Sequence, residues 1–384
     1  MSWRVPLSDL DFGEEERQAV LQVLDSRWLT MGAVTQRFED EFAALVGCKH
    51  ALAVSNATVA LHLACLALGL GPGDWLWTSP ITFVASANCA RFCGAEVDFV
   101  DIDPATYNMS VEALATKLEA AESAGRVPAV VVPVHFGGAS CDMARIAALA
   151  ERYGFRVLED ASHAIGGRYA GAPVGACGHS AAVVFSFHPV KIVTTGEGGM
   201  VVTNDAELAE RVRLLRTHGI TRDEAQMRGA SEGGWYYQQV ALGYNYRITD
   251  IQAALGTSQM RRVDAFVERR NEIARMYADK LAGLPVRWQQ VSADVLSAYH
   301  LFVIELEHHD RAAVYARLRE AGIGVNVHYI PVYLQPYYAD LGFAPGQFPA
   351  AEAYYDRAIT LPLYPAMSDA DVDTVIAALA AALG

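Results

Sequence analysis

Short apolar runs alternate with helical patterns along the first half of the chain. The runs have the length of strands, and between them apolar residues recur every three to four positions, as in amphipathic helices. Repeated strands and helices of this length need crossover connections, which predicts a mostly parallel sheet. Strands are predicted at 50–54, 75–78, 97–100, 129–134, 155–158, 181–187 and 199–203. Helices are predicted at 14–25, 36–46, 57–68, 82–93, 110–122, 142–153 and 207–217.

The pattern changes near residue 250. One long helical period covers 250–282, and strands at 285–289, 299–306 and 325–329 then mix with helices at 310–321 and 369–383. We therefore predict an α/β protein with a large domain over 1–250, which includes an N-terminal segment, and a small C-terminal α+β domain over 251–384. Residues 220–245 have no clear period and are predicted to form a long irregular loop, which is usually functional at this length.

Composition restricts the class of protein. The 384 residues are 52% apolar and 19% charged, which is typical of a globular enzyme and excludes disorder, collagen and coiled coil. A net charge of −14 repels phosphate backbones and anionic lipid, so neither a nucleic acid nor a membrane is expected as a partner. Six scattered cysteines without a completing histidine pattern predict reduced thiols, a cytoplasmic location and no metal site. No secretory signal is expected.

Lysine is rare, and one of the four lysines has unusual surroundings. Lys191 lies in SFHPVKIVTTGEGG, between an apolar strand and a glycine-rich turn. Loss of hydration at such a place would lower the pKa of the amine and make it a nucleophile. The alternative is a side chain that extends past its apolar neighbours to the surface.

Asp160 ends the predicted strand FRVLED, and His163 follows three residues later. Because α/β sheets place their ligands at the carboxyl ends of parallel strands, this carboxylate could hold a cationic nitrogen. A helix N-cap with an incidental histidine is the alternative interpretation.

Two turns carry residues that also occur in anion-binding loops. Ser55-Asn56-Ala57-Thr58 lies between a strand and an apolar helix, where free amides and the helix dipole favour an anion, although a plain N-cap is the alternative. The glycine-rich segment 69–73 follows a helix and precedes a strand, which is the wrong order for a dinucleotide loop. This order argues against a nicotinamide-dependent dehydrogenase.

Taken together, these signals match the needs of one cofactor. Pyridoxal phosphate requires a lysine for its aldehyde, a carboxylate for its ring nitrogen, and amides and hydroxyls for its phosphate. Lys191, Asp160, the helix start at Ala57 and Thr58, and the nearby Ser186 would supply these groups.

Five motifs, in order, resemble the DegT/DnrJ/EryC1/StrS family of sugar aminotransferases. They are SNATVALHLA, SPITFVASAN, EDASHAIG, SFHPVKIVTTGEGG and GYNYRITDIQAALG, and the resemblance extends from about residue 5 to the C-terminus. It implies the fold type I of pyridoxal-phosphate enzymes, which is similar to that of aspartate aminotransferase. It also implies a homodimer, a nucleotide-sugar substrate and L-glutamate as the amino donor.

The resemblance implies roles for individual residues. Lys191 and Asp160 would be catalytic, since Lys191 would hold the cofactor covalently and move a proton, and Asp160 would pair with the ring nitrogen. Further cofactor contacts would come from Ala57, Thr58, Phe83, His163, Ser186 and, across the homodimer, Asn245. The sugar nucleotide would contact Arg27, Trp28, Leu29, Thr30, Asn326, Val327, His328 and Tyr329. Leu7 stands where a related family member has a tyrosine near its N-terminus, and this difference changes one expected substrate contact.

Within the family, SRWLTMG, NVHYIPVY and SFH-x-x-K are most similar to the transaminases of the pseudaminic-acid pathway. This similarity implies amination at C-4 of UDP-2-acetamido-2,6-dideoxy-β-L-arabino-hexos-4-ulose. A different UDP- or dTDP-4-keto-hexose is the alternative acceptor, because pockets separate such sugars only weakly. Sugar dehydration is disfavoured because the relatives that dehydrate carry histidine in place of Lys191. A cofactor-binding regulator would need a basic DNA-binding segment, which the sequence does not predict.

Overall fold

The computed structural model describes residues 3–384, in which short strands alternate with helices. The strands are β1 (His50–Val54), β2 (Trp75–Thr78), β3 (Glu96–Phe99), β4 (Val130–Val132), β5 (Arg156–Asp160), β6 (Arg168–Tyr169), β7 (Ala172–Pro173), β8 (Ala182–Ser186), β9 (Gly199–Thr203), β10 (Ile220–Thr221), β11 (Gln238–Gln239), β12 (Val286–Trp288), β13 (Val295–Leu296), β14 (Phe302–Leu306) and β15 (Ala358–Leu361).

The helices cover both faces of the main sheet and most of the C-terminal third. They are α1 (Glu14–Ser26), α2 (Ala33–Val46), α3 (Ala57–Ala67), α4 (Ala85–Phe92), α5 (Val111–Ser123), α6 (Met143–Tyr153), α7 (Ala206–Leu215), α8 (Asp250–Met260), α9 (Val263–Leu281), α10 (Arg311–Glu320), α11 (Pro336–Ala339), α12 (Pro349–Arg357) and α13 (Asp369–Leu383). Short 3-10 helices lie at Phe136–Gly138, Glu224–Gln226 and Val332–Leu334.

A seven-stranded sheet with the order β1-β9-β8-β5-β4-β2-β3 forms the centre of the fold. Six of its strands run in one direction, and β9 is antiparallel to both of its neighbours. The carboxyl ends of β1, β5 and β8 therefore lie at the same edge, where open α/β sheets bind ligands. The fold is the α/β fold with a large, mostly parallel sheet that the sequence predicted.

Alternating side chains of the central strands divide the core into two layers. In β8, Val184 packs with Leu63 of α3, whereas Val183 and Phe185 pack with Phe42 of α2 and Ala253 of α8. Because successive side chains of a strand point to opposite faces, one fully apolar strand serves both layers.

A second, three-stranded antiparallel sheet with the order β12-β14-β15 lies in the C-terminal part. Its apolar face packs on α9, α10 and α13, through residues such as Tyr277, Leu318 and Leu379. Strands and helices thus mix in this part of the chain. The proposed boundary between residues 250 and 251 stays a prediction.

The prediction of a single long helix over 250–282 is wrong in one detail. The structure has α8 and α9, separated at Arg261 and Arg262, and Arg262 has φ −106° and ψ 4°. Its guanidinium donates hydrogen bonds to Asp11 and Glu16 of the N-terminal segment. No proline or glycine marks the break, so the helical period continues across it in the sequence.

Other differences concern short elements. The strand predicted at 325–329 is only one bridge, between Asn326 and Thr360. The partner strand β15 and the preceding α12 were not predicted, and neither were the two-residue strands. The segment 220–245 is irregular as predicted, except for the short pair formed by β10 and β11.

Candidate active site

A cavity of about 650 Å³ opens at the carboxyl ends of β1, β5 and β8. Each of these strands is followed by a turn that carries polar side chains to this edge. Eight of the residues predicted from the sequence line the cavity: Ala57, Thr58, Phe83, Asp160, His163, Ser186, Lys191 and Tyr329. The tertiary structure therefore joins segments that lie more than 270 residues apart in the chain.

Asp160 is buried at the end of β5 and is held by two donors. Ser86 Oγ donates to its Oδ2 at 2.7 Å, and the Ser162 amide donates to its Oδ1 at 3.0 Å. Thr82 Oγ1 lies 2.8 Å from Ser86 Oγ and extends this network. A turn rather than a helix follows the carboxylate, so the helix N-cap interpretation of Asp160 is wrong. The network fixes a carboxylate against the cavity wall.

The start of α3 forms another part of the wall. Asn56 is its N-cap, and its side chain accepts a hydrogen bond from the Val59 amide at 3.0 Å. The first amides of a helix have no acceptor within the helix, and the helix dipole makes this end attractive to anions. Ala57, Thr58 and the β8 residue Ser186 line the cavity at this point. The turn is thus an N-cap and also the place where an anion would be held.

Glycine is required where β9 passes the start of α3. A Cβ atom at Gly199 would lie 2.6 Å from the Asn56 carbonyl carbon and 2.7 Å from the Ala57 amide nitrogen. Both contacts are with backbone, so a side chain at this position would displace the helix start. The motif TTGEGG therefore has two roles. It lies next to Lys191 in the sequence, and its last glycine allows β9 to pack against the start of α3.

Lys191 is half-buried and its side chain enters the cavity rather than the outer surface, so the surface interpretation of this lysine is wrong. Its Nζ lies 3.4 Å from His300 Nε2 and its side chain lines the cavity. Burial lowers the pKa of Lys191 to about 8, and the negative charge of Asp160 opposes part of that shift. An amine with this pKa is partly neutral near physiological pH and can act as both base and acid.

Two buried histidines and a tyrosine form a contiguous group next to Lys191. The rings of His163 and His300 have centroids 4.4 Å apart, and Tyr329 Oη lies 3.2 Å from His163 Nε2. Burial, with a smaller effect of the Lys191 charge, lowers the pKa of both histidines well below the usual 6.5. Both imidazoles are therefore neutral at physiological pH.

The remaining predicted site residues lie outside the cavity wall. Asn245 is exposed and pairs by a backbone bridge with Thr217. Arg27, Trp28 and Leu29 are exposed at the end of α1, and Thr30 Oγ1 donates to the Ile248 carbonyl at 3.3 Å.

The second predicted substrate segment, residues 326–329, lies beside β15 and ends at the cavity. Asn326 is exposed and bridges Thr360, Val327 is half-buried, and His328 Nδ1 lies 2.8 Å from Thr360 Oγ1. Burial and the Lys191 charge lower the pKa of His328 to about 4. Of this segment, Tyr329 lines the cavity, and the substrate roles of the other three stay predictions.

Three residues of the site were not predicted from the sequence. Ser86 and Ser162 hold Asp160, and His300 contacts Lys191. Ser162 stands within the quoted EDASHAIG motif and Ser86 within SPITFVASAN, so the motifs offered a signal for both. His300 precedes a strand at a distance of 109 residues from Lys191, and no local pattern marks it.

The residues present fit pyridoxal phosphate. The group needs an amine, a carboxylate, and amides or hydroxyls for its phosphate, and Lys191, Asp160, the α3 start and Ser186 offer them on one wall. The cavity has the size of small-molecule sites, which range over roughly 300–1,000 Å³. Among residues 3–384, no group of three or more histidine, cysteine, aspartate or glutamate side chains could hold a metal ion. In the same residues no helix combines the length and apolar character that crossing a membrane requires.

Comparison with known proteins agrees with the family resemblance that the sequence motifs indicate. The model of the DegT/DnrJ/EryC1/StrS aminotransferase family matches residues 10–380. The spore coat polysaccharide biosynthesis protein SpsC of Bacillus subtilis is 45% identical over 374 residues, which cover 96% of this chain and 94% of SpsC.

Two solved structures are similar over nearly the whole chain. Helicobacter pylori PseC, an aminotransferase involved in the biosynthesis of pseudoaminic acid, is 30% identical with a TM-score of 0.89, covering 100% of this chain and 99% of PseC. The PLP form of Spr1654 from Streptococcus pneumoniae is 28% identical with a TM-score of 0.88, covering 100% and 98% of the two chains.

Proposed function

Because this chain belongs to the DegT/DnrJ/EryC1/StrS aminotransferase family, we propose that it aminates a nucleotide-linked 4-keto-6-deoxy sugar at C-4. The donor in this proposal is L-glutamate. The proposed acceptor is UDP-2-acetamido-2,6-dideoxy-β-L-arabino-hexos-4-ulose, whose 4-amino product serves pseudaminic acid biosynthesis. The similarity to Helicobacter pylori PseC supports this choice of acceptor.

The class of reaction follows from the family and its solved members. The chain is a pyridoxal-phosphate-dependent sugar aminotransferase with the fold of that family. Bound pyridoxal phosphate supplies an aldehyde that bonds to amines and a ring that withdraws electrons from the adjacent carbon.

One observation carries the proposal: a single cavity brings together the amine of Lys191 and a buried, doubly hydrogen-bonded Asp160. Lys191 would hold the cofactor, and Asp160 would keep the ring nitrogen protonated. The amides of Ala57 and Thr58 and the Ser186 hydroxyl would hold the phosphate.

Proton transfer is assigned to Lys191. When its Nζ is free, it would take the proton from the α-carbon of the donor amino acid and pass it to the cofactor, and in the second half-reaction it would take a proton from the cofactor and give it to C-4 of the sugar. One group can act in both directions because its pKa of about 8 lies near working pH. Phe83, half of whose surface is exposed at the cavity mouth, would cover the ring face and keep bulk water from it.

A second acceptor class has its own support. SpsC is 45% identical to this chain and is named for a spore coat polysaccharide. A different UDP- or dTDP-4-keto-hexose is therefore the second candidate, and a pocket distinguishes sugars that differ by one methyl group by only ~1–3 kcal/mol.

A homodimer is part of the proposal. Asn245 would reach the cofactor phosphate of the second subunit, and the large exposed side chains of Trp28, Trp235 and Leu242 support an interface with another copy. The six free cysteines support a reducing compartment and hence the cytoplasm.

The test is a panel of UDP- and dTDP-linked 4-keto sugars incubated with glutamate and the cofactor-loaded protein, with products identified by mass spectrometry and NMR. We expect a 4-amino sugar from the UDP-linked N-acetyl substrate. Lys191→Ala should give no product, whereas Lys280→Ala, which removes an exposed lysine paired with Asp373, should retain it. Conversion of dTDP-sugars alone would contradict the proposed acceptor and leave the aminotransferase class standing. No amino sugar from any acceptor would contradict the function itself.

A further inference from the structure

His300 contacts the lysine that the proposed function places at the centre of the reaction, although no sequence motif connects the two. It lies in the loop before β14 and is only 7% exposed. Its Nε2 is 3.4 Å from Lys191 Nζ, and the ring of His163 packs against its ring with centroids 4.4 Å apart. Backbone hydrogen bonds hold this loop on both sides of His300, because the Ala298 amide donates to the Gly138 carbonyl at 2.9 Å and the Leu301 amide donates to the Gly137 carbonyl at 3.2 Å.

The unpaired ring nitrogen of His300 indicates which of its nitrogens carries the proton. Nδ1 is buried and has no hydrogen-bond partner among residues 3–384. A buried N–H without an acceptor is rarer in proteins than an acceptor without a donor. The neutral ring is therefore favoured with its proton on Nε2, which is the atom that faces Lys191.

We propose that His300 is a positioning residue for Lys191, whose neutral amine accepts a hydrogen bond from His300 Nε2–H and is thereby held at the cavity. This inference rests on the proposed role of Lys191. It adds a specific task for a buried imidazole: His300 stabilises the free-base form that must take up the substrate proton, and it restricts the side-chain rotation of Lys191 each time the amine is released.

The charges around Lys191 are consistent with this direction of donation. Asp160 is the acidic group that faces the amine, and it favours the ammonium form. His163, His300 and His328 face it as neutral rings, because burial lowers the pKa of each below its usual value. Behind His300, the Arg270 guanidinium donates to the carbonyls of Tyr299 and Leu363, and its charge also opposes protonation of His300.

The experiment measures the reactivity of Lys191 in the full chain after removal of the cofactor. Each protein is labelled briefly with 1-fluoro-2,4-dinitrobenzene between pH 6 and 10, and mass spectrometry gives the labelling rate at each of the four lysines. Lys49, Lys117 and Lys280 are internal references. The wild-type midpoint for Lys191 is expected at about 8.

Three substitutions separate donation from packing. His300→Leu removes the donor and keeps an apolar side chain of similar bulk. His300→Asn carries an amide that ends near the position of Nδ1, and His300→Gln carries one near the position of Nε2. Loss of the donor should raise the midpoint of Lys191 and lower its labelling rate at pH 7 about three- to tenfold in His300→Leu and His300→Asn. His300→Gln should stay within about twofold of wild type, because its amide still donates from the right place.

A histidine elsewhere provides the matched control. His309 Nε2 lies 2.9 Å from the Leu383 carbonyl near the C-terminus, and His309→Leu should leave the Lys191 midpoint unchanged. If His300→Leu does not fold, the comparison of His300→Asn with His300→Gln carries the same information.

Two outcomes would overturn the inference. An unchanged midpoint in both donor-free variants would show that His300 only packs, and a lowered midpoint would show that Lys191 donates to the ring instead. Neither readout depends on sugar turnover. Failure of the wild-type enzyme in the sugar panel would therefore count against the proposed function alone, and an unmoved midpoint in an active enzyme would count against His300 alone.

Discussion

At the scale of single residues, the site depends on a buried carboxylate and a half-buried amine that line one cavity. Asp160 is 5% exposed and accepts two hydrogen bonds, from Ser86 and the Ser162 amide. Lys191 is placed so that burial opposes its charged form. In the proposed function, the same enclosure that makes these groups costly to bury would allow Asp160 to hold a cationic ring nitrogen and Lys191 to exchange protons.

Asp160→Asn should lower cofactor affinity and turnover together. The amide removes the negative charge and presents an N–H₂ group toward a site where Ser86 and Ser162 already donate. Removing one partner of a buried ion pair costs ~3–5 kcal/mol, which corresponds to a loss of affinity of at least about a hundredfold. Cofactor titration by fluorescence measures it. As a control, Asp279→Asn, at an exposed position of α9, should bind the cofactor as tightly as wild type. Tight cofactor binding by Asp160→Asn would contradict the assignment of Asp160 to the ring nitrogen.

The lowered pKa of Lys191 predicts a pH-dependent difference in stability for the cofactor-free protein. The folded pKa of about 8 lies below the ordinary 10.5, so the unfolded chain binds more protons between these values. The destabilisation is fully present below pH 8 and disappears as the pH rises toward 10.5. Lys191→Met should therefore be more stable than wild type at pH 7, by on the order of 2 kcal/mol after allowance for solvent screening. Urea unfolding at pH 7 and pH 10 measures the difference, and a difference that does not shrink with pH would contradict this account.

At the scale of elements, the start of α3 is the part of the site that depends most on close packing. Asn56 closes the first turn through its side chain, and β9 crosses it with Gly199 at the contact. The helix end is therefore held at a fixed distance from Ser186 on β8, the strand next to β9 in the sheet. The proposed anion site therefore depends on how α3, β8 and β9 pack together, and not on any single residue.

Gly199→Ala should move the α3 start and weaken phosphate binding. Its Cβ would lie 2.6–2.7 Å from backbone atoms of Asn56 and Ala57, which is closer than real contacts allow. Overpacking of this kind typically costs ~1–3 kcal/mol. The free energy of unfolding and the cofactor dissociation constant measure the two effects. Gly178→Ala is the control because it meets open space at a backbone conformation that other residues adopt. Equal behaviour of the two variants would exclude a packing role for Gly199.

At the scale of the whole molecule, two large apolar side chains are exposed on the segment that the homodimer proposal places at an interface. Trp235 is 74% exposed and Leu242 is 80% exposed, and both lie in the irregular segment between α7 and α8. This segment also carries Asn245, the residue proposed to reach the second cofactor. Exposed apolar side chains of this size are typical of protein interfaces.

Trp235→Asp combined with Leu242→Asp should convert the proposed dimer into monomers. A charge on each side of an apolar interface costs several kcal/mol of association, because it would be buried without a partner. Sedimentation should show a change from twice the chain mass to 41.6 kDa, with loss of turnover. Leu341→Asp, at a 42% exposed position of the C-terminal part, should remain dimeric. A wild-type protein that sediments as a monomer would contradict the proposed assembly.

Sequence by itself determined the alternation of strands and helices, the mostly parallel sheet and the choice of Lys191 and Asp160 as candidates, which the structure places in one cavity. These follow from local periodicity and from motifs in which Lys191 and Asp160 have neighbours of the right kind. The break between α8 and α9, the bridge at Asn326 and the contact of His300 with Lys191 were decided by the tertiary structure alone. Each depends on groups that are distant in the chain, and hydrophobic period carries no information about which distant polar groups will meet.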